Sequence, residues 1–221
     1  MRLHRFYTTQ ELSPLLTYKD EQHIHQWKNV FRYEVGQALI LFGDGFEHTY
    51  TIESINKKEA LLREQIKSAS RMQDCELTLG MAIIKRDNFE LVLQKCTEIG
   101  VTEFTPLITD RSLQKMFGVE RLEKILIEAT EQSGWGRVPK LSAAVHFNNI
   151  EVLDAVVLDR SGTTDTPVSV DMLLIGPEGG WSDEEQIRMT KNKTKVWSLK
   201  TGVLRAETAA IVATGIIKNT R

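Results

Sequence analysis

The sequence predicts an α/β protein in which a small β-rich domain precedes a larger domain built on a parallel sheet. From Cys75 onward, strand and helix patterns alternate over about 145 residues, which is typical of a parallel sheet with crossover helices. Two strands of this part, residues 155–158 and 172–175, are short and wholly apolar, as expected for strands buried on both faces. Residues 1–70 instead carry strand patterns and hairpin turns with few helical signals, which indicates a small β-barrel.

The remaining elements follow from local patterns. In the first domain, strands are predicted over residues 38–42, 49–55 and 60–66, and the polar segment 67–74 is the predicted linker. In the second domain, further strands are predicted over residues 77–84, 104–108 and 196–199. Helices are predicted between Asp87 and Gly100, over 119–133, after Ser182, and over 207–218.

Three helix ends carry capping signals. Asp87 with Glu90, and Ser182 with Glu185, have the spacing of a capping box. Gly100 is placed to end the first of these helices, because glycine tolerates the left-handed conformation that often follows a helix.

Composition limits the class of protein. The net charge of −2 over 221 residues argues against a general nucleic-acid binder, so any RNA contact must come from a local basic face. The first seven residues lack the apolar run of a signal peptide, and no stretch approaches the length of a membrane span.

Cys75 and Cys96 have neither metal nor redox spacing, so we expect two reduced thiols in a cytoplasmic protein that uses no metal. His23 and His25 fall on an alternating stretch without metal-binding spacing, beside Trp27 and Phe31, which are predicted core residues.

Two glycine-containing loops near the C-terminus carry the strongest functional signal. Residues 173–181 and 197–210 each run from an apolar strand through a glycine loop into a helix. Two such strand ends side by side on a parallel sheet would form a ligand crevice, with Arg205 and Glu207 at its mouth. The first loop is neither a dinucleotide fingerprint nor a Walker A loop, and its glycines suit a ligand read by backbone groups. Three alternatives remain open: a turn without a ligand, Glu207 as a charge at a helix N-terminus, and a simple Arg205–Glu207 ion pair.

At this point the chain resembles the bacterial RsmE family, S-adenosylmethionine (SAM)-dependent methyltransferases of the SPOUT class that methylate N3 of one uridine in 16S ribosomal RNA of the small subunit. The resemblance covers nearly the whole chain in the order and spacing of its segments. These segments are residues 1–7, 36–45, 94–100, 106–111, 128–133, 138–139 and the two loops. It implies a PUA-like β-barrel RNA-binding domain over residues 1–70. It also implies a trefoil-knotted SPOUT domain over residues 74–221, with knot loops near 174–180 and 198–206, which dimerises with a second copy.

The resemblance also assigns roles to individual residues. Arg205 and Glu207 are the expected catalytic pair, with Glu207 as the base that removes the uridine N3 proton and Glu178 as the alternative. The methyl donor SAM is expected to contact Pro106, Leu107, Leu174, Ile175, Gly176, Pro177, Glu178, Gly179, Gly180, Ser198, Leu199, Val203 and Leu204. Ribosomal RNA, either free or in an assembled small subunit, is expected to contact Arg2, Arg5, Arg32, Lys85, Arg86, Arg111, Lys115 and Arg137.

Two other classes of function remain as alternatives. The first is a catalytically inactive protein of the same fold that only binds ribosomal RNA; the presence of both Arg205 and Glu207 counts against it. The second is an enzyme that uses the crevice for a nucleotide. The missing Walker lysine and the missing ribose-binding acid at Rossmann spacing count against that reading.

Overall fold

The structure, a computed structural model, describes residues 3–73, 75–152 and 154–220. It divides the chain into two compact units, the first formed by Met1–Met72 with Gly134–Arg137 and the second by Gln73–Ser133 with Val138–Arg221. The second domain was predicted as one uninterrupted segment, residues 74–221, whereas the structure assigns Gly134–Arg137 to the first unit. Its cause is local contact: the Arg71 guanidinium lies 4.5 Å from the Trp135 ring centroid, and the Gly136 N–H donates to the Arg71 carbonyl at 2.8 Å.

The first unit is built on a five-stranded sheet. Its elements are β1 (Arg5–Tyr7), β2 (Leu15–Tyr18), α1 (Glu21–His25), a π-helical turn (Gln26–Val30), β3 (Ala38–Phe42), β4 (Phe46–Ile55) and β5 (Ala60–Ala69). The strands lie in the order β1-β3-β4-β5-β2, with β1 parallel to β3 and the other pairs antiparallel. The three strands predicted here are present, and β4 and β5 are longer than expected.

The stretch that follows β2 is helical, which the sequence analysis did not predict. The Asp20 carboxylate accepts from the His23 N–H at 2.8 Å and so caps α1. Ile24 and Trp27 are buried at helical spacing, which confirms Trp27 as a core residue. His23 stacks on Trp27 rather than lying on an exposed extended strand, and burial lowers the pKa of His23 although Asp20 opposes the shift.

The second unit contains the predicted parallel sheet. Its elements are β6 (Thr78–Ala82), α2 (Arg86–Ile99), β7 (Glu103–Ile108), α3 (Val119–Ser133), β8 (Lys140–Leu141), β9 (Val145–His146), a 3-10 turn (Phe147–Asn149), β10 (Ala155–Thr163), β11 (Met172–Ile175), α4 (Asp183–Lys191), β12 (Lys195–Trp197) and α5 (Ala206–Asn219). The strand order is β12-β10-β11-β6-β7-β8, with β9 also paired to β7, and every pair is parallel.

Both faces of this sheet are buried, as the apolar strands predicted. Along β11, Leu173 and Ile175 belong to one hydrophobic cluster, whereas Leu174 between them belongs to another. Because successive side chains of a strand point to opposite faces, a continuous apolar run indicates helices or loops on both sides. None of the helices in the described part of the chain has the length and apolar character needed to cross a bilayer.

Two of the three predicted caps are present. Gly100 ends α2 with φ +111°, and Ser182 and Glu185 form a capping box at the start of α4. The prediction that Asp87 caps α2 is wrong, since the helix begins at Arg86 with Lys85 at the N-cap position. The Glu90 carboxylate instead accepts from Arg86 at 2.9 Å and from Arg121 of α3, so it joins two helices.

The two apolar strands that lead into the glycine loops are not neighbours, which corrects the expectation that their ends lie side by side. β10 lies between β11 and β12 and pairs with both. The reason is topological, because the chain places β12 outside β10 at the edge of the sheet, and a local sequence pattern does not encode strand order.

Glu103 at the start of β7 predicts an acid-sensitive contribution to stability. Its Oε1 accepts from the Ser142 hydroxyl at 2.5 Å and from the Lys140 ammonium at 3.0 Å. These contacts hold the pKa of Glu103 below its usual 4.5, although partial burial and Glu76 oppose the shift. A depressed carboxyl pKa stabilises the folded state above the unfolded pKa, and this contribution is lost as pH falls through the folded pKa.

We therefore expect Glu103→Gln to lower the free energy of unfolding at neutral pH and the difference from the wild type to shrink on acidification. Urea unfolding of both proteins over a pH series measures this. Parallel pH profiles for the two proteins would contradict it.

Candidate functional site

The site is a cavity of about 720 Å³ at the carboxyl ends of β10, β11 and β12. In open α/β sheets this edge is the usual place for a ligand. Three segments line it: residues 158–160 within β10, residues 175–181 from the last residue of β11 onward, and residues 198–199 and 201–206 after β12, together with Ala209 of α5. A cavity of this volume lies within the range of small-molecule and cofactor sites.

The loop after β11 is shaped by two close contacts. The Gly180 N–H donates to the Pro177 carbonyl at 2.9 Å, and Gly180 has φ +68°, which favours glycine. A Cβ on Gly176 would lie 3.0 Å from the Trp181 ring, so glycine also allows the indole to pack beneath the loop. The Trp181 indole N–H donates to the Leu158 carbonyl at 3.3 Å, which joins this loop to β10.

The loop after β12 leads into α5. The Ser198 N–H donates to the Thr163 carbonyl at 2.8 Å, and the Thr201 N–H donates to the Leu199 carbonyl at 2.8 Å. The helix begins at Ala206, one residue before the predicted start, so Arg205 is its N-cap residue and is exposed beside the cavity. Glu207 lies in the first turn but is only 7% exposed, and its Oε2 makes no hydrogen bond within the described residues.

The structure brings most of the residues expected at the donor site onto this one cavity. Of the residues expected to bind the donor or to act in catalysis, those that line it are Ile175, Gly176, Pro177, Glu178, Gly179, Gly180, Ser198, Leu199, Val203, Leu204 and the expected catalytic Arg205. The remaining four lie elsewhere: Pro106, Leu107 and Leu174 are buried in or beside the sheet, and Glu207 is buried in α5.

Sequence reasoning missed the contribution of β10. Leu158, Asp159 and Arg160 line the cavity, and so do Trp181, Thr201, Gly202, Ala206 and Ala209. A signal for the first group was present, because two charged residues directly follow an apolar strand at its carboxyl end. With them, the cavity presents two carboxylates, Asp159 and Glu178, and two guanidinium groups, Arg160 and Arg205.

The residues expected to contact RNA differ in their availability. Arg5 is engaged inside the first unit, since its Nη2 lies 2.7 Å from Glu47 Oε1 and donates to the Trp135 carbonyl at 3.0 Å. Arg86 pairs with Glu90, and Arg111 donates to two backbone carbonyls of the loop after β11. Arg32, Lys85 and Lys115 are exposed, Arg137 is half-buried, and Arg2 lies outside the described residues.

Glu185 supports the helix that follows the cavity loop, and this predicts a measurable loss of stability. It is 2% exposed, and its carboxylate accepts from the Ser182 N–H at 2.7 Å and from the Asp110 N–H at 3.0 Å. Glu185→Ala removes both acceptors and is expected to lower the free energy of unfolding by about 2 kcal/mol. Glu184→Ala, in the same turn but exposed, is the control, and equal losses in urea unfolding would contradict the role of the buried carboxylate.

Comparison with known proteins defines the class first. The family model for an RNA methyltransferase domain matches residues 71–218, which is more than half of the chain and includes all the residues that line the cavity. Fold similarity agrees with this class. A methyltransferase from Legionella pneumophila, solved with the bound cofactor SAM, is 31% identical, has a TM-score of 0.86, and is matched over 100% of this chain and 98% of its own.

Curated relatives narrow the class. The ribosomal RNA small subunit methyltransferase E of Rickettsia conorii is 32% identical over 96% of this chain and 94% of its own length. The protein of the same name from Neisseria gonorrhoeae, solved bound to SAM, has a TM-score of 0.87 at 24% identity over 99% of this chain and 98% of its own, which shows a shared fold. This chain belongs to the ribosomal RNA small subunit methyltransferase E family, RsmE.

Proposed function

We propose that this protein is a SAM-dependent methyltransferase that methylates N3 of a specific uridine in 16S ribosomal RNA of the small subunit. The observation that carries this proposal is the cavity at the ends of β10, β11 and β12, whose walls are mostly backbone and small or apolar side chains. It lies within the region that matches the RNA methyltransferase domain, and related structures of the same fold hold SAM.

The residues of the cavity fit SAM as the methyl donor. Gly180 lines the cavity and has open space where a Cβ would lie, so a ligand can approach the backbone closely there, which suits an adenine read by N–H and C=O groups. Ile175, Leu199 and Leu204 supply apolar surface. The Asp159 carboxylate and the Arg160 guanidinium suit a ligand that carries both positive and negative charge. SAM would supply a methyl group activated by a sulfonium centre, and the chain would hold and orient it.

The chemical task left to the side chains is removal of the uridine N3 proton. Uridine N3 is a poor nucleophile while protonated, so a base must come within hydrogen-bond reach of it. Glu178 is exposed on the cavity wall, whereas the Glu207 carboxylate is buried in α5, so we propose Glu178 as the base in preference to Glu207. Deprotonation leaves negative charge on the uracil oxygens, and the exposed Arg205 guanidinium is placed at the cavity to stabilise it.

The RNA substrate must present an accessible base. Because N3 lies on the pairing edge of uracil, we propose that the target uridine is unpaired or flipped out of its helix. Arg32, Lys85 and Lys115 are exposed cations that suit phosphate contacts, and the substrate would be the free small-subunit RNA or the assembled subunit. With such a substrate, we propose a cytoplasmic location.

We further propose the domain architecture of the family. The five-stranded sheet of the first unit supports a PUA-like barrel, and the parallel sheet of the second unit supports a SPOUT domain. For this SPOUT domain we propose the trefoil knot of the family, with the loops after β11 and β12 as its knot loops. Half-buried Ile211, Val212 and Ile216 leave apolar surface on α5, which supports a homodimer through this helix.

The decisive experiment is methylation of defined small subunits. Purified protein is incubated with radiolabelled SAM and small subunits from cells that lack this modification, and the RNA is digested to nucleosides. Labelled 3-methyluridine is the expected product. A different labelled nucleoside would overturn the N3 assignment, and SAM binding without any transfer to free RNA or to subunits would favour an inactive RNA-binding protein of the same fold.

A further inference from the structure

The turn that follows β7, residues 109–112, is tied to the cavity loop that follows β11. Arg111 Nη1 donates to the Gly179 carbonyl at 2.9 Å and to the Trp181 carbonyl at 3.2 Å. The two partners lie about seventy positions further along the chain, so one side chain joins two strand ends that are separated on the sheet by β6. The Gly179 and Trp181 carbonyls belong to the loop that forms one wall of the cavity.

The loop is shaped to receive this side chain. A Cβ on Gly179 would lie 3.3 Å from Arg111 Cβ and 3.4 Å from Arg111 Cδ, so the arginine stem lies directly against the glycine. A single terminal nitrogen bridges two carbonyls, and hydrogen bonds from a charged donor are the stronger kind. The position therefore suits an arginine on one strand end and a glycine on the other, because a larger side chain at residue 179 would press against the arginine stem.

The turn that carries Arg111 is itself fixed on its other side. The Asp110 N–H donates to Glu185 Oε1 at 3.0 Å, and the Asp110 carboxylate accepts from the Ser182 hydroxyl. The Thr109 N–H donates to Ser112 Oγ at 2.9 Å, which closes the turn. Because Ser182 and Glu185 start α4, the cavity loop is held at Gly179 and Trp181 by Arg111, and just beyond them through Asp110.

We infer that Arg111 is a positioning residue that holds the loop 176–181 in its donor-binding shape before SAM arrives. This inference rests on the proposed function, and it differs from the expectation that Arg111 contacts RNA phosphates. A loop that is fixed in advance loses less conformational entropy on binding, so Arg111 contributes to SAM affinity without touching the reacting atoms. Removal of Arg111 should weaken SAM binding equally in the ground state and in the transition state. We therefore expect a higher KM for SAM and a largely unchanged kcat at saturating SAM.

The test uses Arg111→Ala and Arg111→Lys in the full-length protein, with Lys191→Ala, an exposed residue in the last turn of α4, as the matched control. SAM affinity is measured by calorimetry without RNA, RNA affinity is measured over a salt series, and amide hydrogen exchange of residues 176–181 is measured without ligand. We expect Arg111→Ala to weaken SAM binding about 10- to 100-fold and to speed exchange of the loop, with RNA affinity and its salt dependence unchanged. Arg111→Lys should recover part of the SAM affinity, because an ammonium group keeps the charge but not the planar geometry.

The outcomes separate the two proposals. Wild-type protein that binds no SAM overturns the proposed function. Wild-type protein that binds SAM while Arg111→Ala binds it equally well, with unchanged exchange in the loop, overturns the positioning role. A loss of RNA affinity with a shallower salt dependence, at unchanged SAM affinity, overturns it in favour of a phosphate contact. Arg111→Lys and the hydrogen-exchange measurement keep the test decisive if Arg111→Ala is poorly folded.

Discussion

Arg205→Ala is expected to lower kcat for methyl transfer about 10²- to 10³-fold, the range observed when one donor to a developing negative charge is removed. Arg205 is exposed at the cavity as the N-cap residue of α5, so the start of that helix places its backbone at the end of the loop after β12. Loss of the guanidinium should destabilise the deprotonated uracil and should not weaken binding of the donor. SAM affinity is therefore expected to remain close to that of the wild type.

Single-turnover rates at saturating SAM, with SAM affinity measured separately, distinguish these effects. Arg205→Lys is the matched variant and should retain part of the rate, because it keeps a positive charge but loses the planar donor geometry. An effect confined to KM for SAM, with kcat preserved, would show that Arg205 binds the carboxylate of the donor and does not stabilise the uracil.

Glu178→Gln is expected to produce the second large loss of activity, about 10²- to 10⁴-fold in kcat at neutral pH, as observed for removal of a general base. Glutamine keeps the shape of the side chain but accepts no proton. The loss should shrink as pH rises, because an increasing fraction of uridine is then already deprotonated at N3. A pH–rate profile of the variant against the wild type therefore measures the role of this carboxylate directly.

Glu207→Gln is the matched control for that experiment. Glu207 is buried in the first turn of α5 and does not line the cavity, so its substitution should change stability more than kcat. The reverse pattern, with a pH-dependent loss of kcat in Glu207→Gln and little change in Glu178→Gln, would assign the base to Glu207. That result would also require the buried carboxylate to reach the cavity when the RNA binds.

Local patterns predicted the four longer helices and most strands of the second unit, because each depends on nearby residues, but they missed the short strands β8 and β9 and the second half of β10. The apolar run at residues 172–175 has the bounds of β11, and the Ser182–Glu185 capping box and the Gly100 helix end are present. The cap at Asp87 failed because the helix began one residue earlier and the Glu90 carboxylate bonded to Arg86 and Arg121 instead. The α1 helix was missed because only five residues form it, and its buried positions belong to a core that the pattern does not show.

The cavity likewise combines features that the local sequence predicts with features that depend on the tertiary structure. The two glycine loops were visible in the sequence because glycine and proline interrupt apolar strands there. That β10 lies between the two strands, and so adds Asp159 and Arg160 to the wall, depends on strand order. The position of Arg111 against Gly179 depends on contact between segments about seventy residues apart.

The sequence alone determined the α/β class of fold and the two loops, because these follow from periodicity and glycine placement, and its resemblance to a methyltransferase family indicated the reaction and the residues for it. Only the tertiary structure decided which charged groups face the cavity. It exposes Glu178 and Arg205 there, buries Glu207, and turns Arg5 and Arg111 onto backbone and side-chain partners. The physical reason is that the exposure and the partners of a charged side chain depend on contacts between distant segments, which no local pattern records.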